Sequence, residues 1–308
     1  MAVSERVRLA RGVVAGYVLP QEGGVLERLF VDGRPVLAAM PWADEVEPAL
    51  VPAADEESWV AHWRGGWQLC FPSAGQLDSA SAWPQGFHGV ASQAPWRVVE
   101  ADDEQVALEW RDDDGLVVAR KWRLTDVGAE VVTTAENRGT RTRPLVIAEH
   151  LVLGGDIVAP VLTGGGSLEI DVPGGGALAQ LDYFGVPMGE QVPWPAAAVD
   201  RWACIDAATP ARVGAIVDPV ARRIVVRGPH VTVEVDWEGL PHALLWEELA
   251  RSTEHPWNGA VAGVGIEPTS APHGLGTARG DGTIMLLPGS SFTWSTSLSI
   301  RWTPEETP

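Results

Sequence analysis

His88 stands between Phe87 and Gly89, and Trp96 follows shortly after Pro95. About twenty residues upstream runs Trp63-Arg64-Gly65-Gly66-Trp67-Gln68-Leu69-Cys70-Phe71-Pro72. An imidazole beside a glycine can meet a ligand where the backbone is open, and an arginine before two glycines can do the same with a guanidinium. Interleaved tryptophans add flat apolar faces with single N–H donors. Apolar faces beside hydrogen-bonding heads suit a polyhydroxylated ring such as a sugar. Two further segments carry proton-transfer groups: Ile147-Ala148-Glu149-His150-Leu151, and Val264-Gly265-Ile266-Glu267-Pro268. The second is preceded by Leu245-Trp246-Glu247-Glu248 and by His255-Pro256-Trp257.

Strands must position these groups. Val106 to Trp110 alternates apolar and polar, Asp114-Gly115 is a favoured hairpin pair, and Leu116 to Leu124 returns with Leu116, Val118, Trp122 and Leu124 on one parity. Val127 to Ala135 completes a meander. Arg223 to Arg227, Val231 to Trp237, Ala243 to Trp246 and Ser291 to Trp302 read alike, and Gly24 to Leu29 with Phe30 to Leu37 forms a hairpin around Asp32-Gly33. Helical periodicity is nearly absent, and 34 glycines with 24 prolines suit many strands and loops. Gly164-Gly165-Gly166 and Pro173-Gly174-Gly175-Gly176 read as loop tips. No repeat or long linker divides the chain, so residues 1–308 read as one all-β sandwich domain.

On a strand neighbouring side chains point to opposite faces, so Glu149 and His150 cannot share a pocket without a bulge, and only one of Glu247 and Glu248 can face inward. Glu267 lies at a strand end before a proline. Partial desolvation there strengthens a carboxylate as a base.

Composition excludes several classes. Forty-one acidic against 22 basic residues give a formal net charge of −19, which opposes binding to nucleic acid or anionic membranes. Cys70 and Cys204 are the only cysteines, so a disulfide scaffold is ruled out and free thiols in a reducing compartment are expected. Met1 to Arg11 mixes Glu5 with arginines and does not read as a signal peptide, and no apolar run is long enough to span a bilayer. The expectation is a cytoplasmic protein, monomeric or homodimeric, whose partner is a small carbohydrate. Gly274-Leu275-Gly276 lacks dinucleotide-binding spacing, Gly-Lys-Ser/Thr and Gly-x-Ser-x-Gly motifs are missing, and the seven histidines show no metal-ligand pairing. Neither a metal nor another cofactor is expected.

The order Arg64-Gly65-Gly66, Phe71-Pro72, His88-Gly89-Val90-Ala91-Ser92, Trp96, His150 and Glu267-Pro268 resembles the aldose 1-epimerase (galactose mutarotase) family. It is closest in motif order to the hexose-6-phosphate mutarotase-like branch. Gly23-Gly24-Val25-Leu26 and Asp32-Gly33-Arg34-Pro35 resemble the family's first hairpin. The resemblance implies a galactose mutarotase-like β-supersandwich of large antiparallel sheets. It also implies a reaction that opens a sugar ring and recloses it as the other anomer. By position it makes His150 the acid at the ring oxygen and Glu267 the base at the C1 hydroxyl. His88 and Arg64 then hold ring hydroxyls and polarise the ring oxygen, and Trp246 contributes to the sugar site. An apolar wall from Trp246 or Trp257 raises Glu267 above its reference pKa of about 4.3, while histidine titrates near about 6.5. No cofactor is needed.

Two departures matter. Ser92 stands where the phosphosugar branch has an arginine, and a serine cannot form a bidentate clamp on phosphate, which favours a non-phosphorylated sugar. Leu151-Val152-Leu153 follows His150 where many mutarotases have Pro-Tyr-Phe. Two other functions use the same residues. One is a carbohydrate-binding or regulatory protein without turnover. The other is a glycoside-cleaving enzyme pairing Glu267 with Glu247, Glu248 or Asp182 across about 5–9.5 Å.

Overall fold

A computed structural model describes residues 6–49, 51–76, 86–195 and 200–303. The first five residues, within the Met1 to Arg11 segment read above, lie outside the described residues. Two large antiparallel sheets dominate the described chain, with a small two-stranded one of Arg143–Leu145 and Ile284–Leu286. The first, here the site sheet, runs in the order Val7–Arg11, Val14–Leu19, Val25–Val31, Trp67–Cys70, Ala148–Leu153, Ala262–Thr269, His242–Leu249, Arg212–Val217, Gly176–Leu181 and Val192–Trp194, with Arg34–Pro35 added beside Val25–Val31. The second has nine strands, among them the meander Gln105–Arg111, Leu116–Leu124 and Gly128–Asn137, which Ser291–Trp302 extends. The all-β supersandwich expected from the sequence is the architecture found.

Alternation explains why these segments pair. Along Leu116–Leu124 the side chains of Leu116, Val118, Arg120, Trp122 and Leu124 are buried and face the site sheet. Trp67 meets Trp122 edge-on with ring centroids 4.9 Å apart. Phe71 stacks near Trp294 at 6.3 Å. A fully buried leucine or valine contributes about 1.5–3 kcal/mol, so dozens of such residues between the sheets make this the main source of stability.

One charged pair interrupts that apolar layer. Arg120 and Glu149 are fully buried between the sheets. The guanidinium donates Nη1 to Oε1 and Nη2 to Oε2, each at 2.8 Å, and Trp67 Nε1 and Trp294 Nε1 donate to the same carboxylate at 2.9 and 2.7 Å. Four donors replace the water that Glu149 loses, which is the condition under which a buried charge is tolerated.

As the near absence of helical periodicity implies, the helices are short: Glu56–Val60, Gly155–Leu162 and Asp200–Ala203. The first starts at an Asp55 cap that accepts from Ser58 N at 2.9 Å. No helix among the described residues is long and apolar enough to cross a membrane.

Candidate active site

The outer face of the site sheet carries an open cleft whose free space, counting its mouth, is about 740 Å³. Its floor lies on three central strands. Ala148 pairs with Thr269 and Val152 with Gly265, so positions 150 and 267 sit opposite each other on one face. Trp246 pairs with Gly265 on the next strand. Alternation thus settles the choice left open along Ala148–Leu153. His150 faces the cleft, and Glu149 faces Arg120 in the core.

His150 Nε2 lies 3.7 Å from Glu267 Oε1, and both side chains are almost wholly buried. Among the described residues, no group hydrogen-bonds His150 Nδ1. Trp59 and Trp63 approach the imidazole edge-on at 5.6 and 5.3 Å. Gly265 leaves room for the carboxylate, because a Cβ there would sit 2.6 Å from Glu267 Oε1 and 3.0 Å from Trp246 Cβ. Burial without donors pushes the Glu267 carboxyl up to about 8 and the same burial pushes the His150 imidazole down to about 4. Both shifts favour the uncharged forms at neutral pH, with the shared proton on Glu267.

His88 reaches the cleft from a tight turn. Its own φ is +56° and that of Gly89 is +81°. A Cβ on Gly89 would come within 2.2 Å of the Phe71 carbonyl. Phe71 N donates to His88 O at 3.1 Å, and Ala91 N donates to Phe71 O at 3.0 Å. The Phe-Pro and His-Gly motifs are therefore one clasp. Gly75 N donates to His88 Nδ1 at 2.9 Å, which leaves the ring proton on Nε2. Burial, with His150 close by, holds His88 well below the usual histidine range, so it is a neutral hydrogen-bond donor.

Trp246 lines the cleft, within 6.0 Å of Trp63 and 5.8 Å of Trp257. Sequence reasoning missed Glu56 and Tyr183. Trp257 Nε1 donates to Tyr183 Oη at 2.6 Å, and Tyr183 donates to Glu56 Oε1 at 2.7 Å, all three beside the cleft. Neither residue lies in a motif or on a periodic strand, and only the fold brings them together.

Arg64 is a correction. It does not line the cleft. It is buried, paired with Glu22, and donates to the carbonyls of Ala43 and Val46. The glycines after it allow chain crossing, since a Cβ on Gly66 would lie 2.5 Å from Leu26 O. Arg-Gly-Gly thus braces the wall. The three carboxylates considered as partners for Glu267 also lie elsewhere. Glu247 is buried against Arg212, Glu248 accepts from Arg251 N and Ser252 N, and Asp182 accepts from Phe184 N and Val186 N in its own turn. Ser92 Oγ sits behind the wall, accepting from Trp59 Nε1 at 3.1 Å. Among the described residues, no cluster of three or more His, Cys, Asp or Glu is arranged to hold a metal.

No protein-family model matches the chain, and no curated protein matches it in sequence. Solved structures do match. The Slr1438 protein from Synechocystis sp. PCC 6803 is 16% identical, with a TM-score of 0.72 over 97% of this chain and 98% of that one. A galactose mutarotase-like protein from Lactobacillus casei is 14% identical, with a TM-score of 0.69 over 96% and 100%. An aldose epimerase homologue from C. elegans is 14% identical, with a TM-score of 0.67 over 98% and 100%. At such identities the likeness concerns architecture, and the chain has the galactose mutarotase-like all-β fold.

Proposed function

We propose that the cleft interconverts the α and β anomers of a non-phosphorylated sugar by opening and reclosing its ring. The observation that carries this reading is the His150–Glu267 pair, 3.7 Å apart on the floor of an aromatic cleft with pKa values driven in opposite directions.

Ring opening needs one proton removed from the C1 hydroxyl and one delivered to the ring oxygen. With carboxylate and imidazolium in place, Glu267 takes the first and His150 gives the second. The C1–O5 bond breaks and C1 becomes an aldehyde. Rotation about C1–C2 presents the other carbonyl face. In closing, neutral His150 takes the C5 hydroxyl proton while protonated Glu267 gives its proton to the former carbonyl oxygen. The proton count of the pair never changes, so no outside acid or base enters. The opposed shifts favour the form that fits the open-chain aldehyde, and one transfer across the gap gives the form that fits the ring. Each positioned proton-transfer group contributes roughly 10²–10⁴-fold. His88 Nε2–H is placed to hold a hydroxyl or the ring oxygen, and the tryptophans pack the apolar faces of the sugar.

No arginine or lysine lines the cleft among the described residues, which supports a substrate without phosphate. The test is exchange NMR on a panel of hexoses and pentoses. Anomer exchange faster than in buffer is expected for at least one sugar. No acceleration with any of them, even where binding is measurable, would leave a carbohydrate-binding protein and sink the proposal.

A further inference from the structure

The lining of the cleft is unevenly polar. Its floor holds His88, His150 and Glu267. Towards Trp257 the polar lining side chains are Glu56 and Tyr183, and Gln76 is the remaining one in the cleft. Everything else is aromatic, aliphatic or glycine. Glu56 is half-buried, and Tyr183 fixes one of its oxygens. The helix it begins does not require it, because Asp55 already caps that end and Glu57 also lies in the first turn. A neutral polyol is best held by mixed donors and acceptors, but among the described residues this side of the cleft offers a carboxylate among rings and no cation.

We infer that the cleft selects an aminodeoxy sugar, whose protonated amino group is held by Glu56 among the rings of Tyr183 and Trp257. The inference rests on the mutarotase reading and adds the substrate class. An ammonium is a charged donor that complements an anionic acceptor, and aromatic rings attract it through their quadrupoles. Burial raises the Glu56 carboxyl, and an arriving cation offsets that cost. The protein's net charge of −19 also favours a cationic ligand in encounter.

The experiment titrates the intact protein with glucose and with its 2-amino, 3-amino and 6-amino deoxy analogues, in buffer acidic enough to keep the amines protonated. Tryptophan fluorescence reads binding, and exchange NMR reads turnover. At least one amino sugar is expected to bind about tenfold or more tightly than glucose, with that ratio collapsing in Glu56→Gln and shrinking in Tyr183→Phe. Glucose binding as well as all three analogues, no binding of any of the four, or a preference that survives in Glu56→Gln overturns the inference. Anomer exchange of glucose without amine preference defeats this inference alone. Amine preference without exchange of any sugar defeats the mutarotase reading and leaves the amine site standing.

Discussion

Glu149 and Glu267 are both buried carboxylates, each on a central strand of the same sheet, on opposite faces of it. Glu149 receives four hydrogen bonds, two from Arg120 and one each from Trp67 and Trp294. Among the described residues Glu267 has neutral His150 at 3.7 Å and a wall of rings. The first charge is satisfied and therefore inert. The second is deprived of donors, and its proton is held to about pH 8. Burial alone does not make a carboxyl reactive; burial without partners does.

The largest effect should come from Glu267→Gln. It should lower anomer-exchange kcat by roughly 10²–10⁴-fold without lowering the free energy of unfolding in urea. A comparable loss of folding stability would erase the contrast. The folded pKa of Glu267 lies above its unfolded value, so its stabilising contribution is full below the unfolded pKa and is lost as pH rises through about 8. Glu267→Gln should therefore gain thermal stability relative to the parent above that pH and gain nothing in acid.

Glu149→Gln should do the reverse. It strands the buried Arg120 guanidinium, and breaking such a pair costs about 3–5 kcal/mol, readable as a shifted urea midpoint. A midpoint unchanged from the parent would mean that the pair is as dispensable as a surface one.

A smaller effect concerns pH. Exchange measured as kcat/KM should be bell-shaped, falling below about 4 as His150 gains a second proton and above about 8 as Glu267 loses the shared one. A profile flat through pH 9 would mean that Glu267 is not part of the chemistry. Smallest is Arg64→Lys, expected to cost about 1–3 kcal/mol of stability through lost backbone contacts while KM stays within about twofold. A large rise in KM would restore Arg64 to the sugar site.

Much of this contrast is legible in the sequence. The period of two along Leu116–Leu124 puts Arg120 on the same parity as Trp122 and Leu124, which marks a buried cation in need of a carboxylate. Alternation alone separates Glu149 from His150. What it does not say is which face is the cleft, because both faces of a central strand are covered and both read as apolar. Arg64 reads as a ligand because a charged side chain before two glycines looks the same whether it braces a loop or binds a sugar. Its partners, Glu22 and the carbonyls of Ala43 and Val46, come from remote turns. Glu56 and Tyr183 are 127 residues apart and carry no local pattern.

The Arg120–Glu149 pair also governs strand alignment. A slip of one residue along Ala148–Leu153 would turn Glu149 out to the cleft and point the His150 imidazole at Arg120. Such a molecule would lose its proton-transfer histidine and bury an uncompensated guanidinium in the same stroke. The ion pair is therefore a register lock, and it makes the misaligned chain unstable as well as inactive.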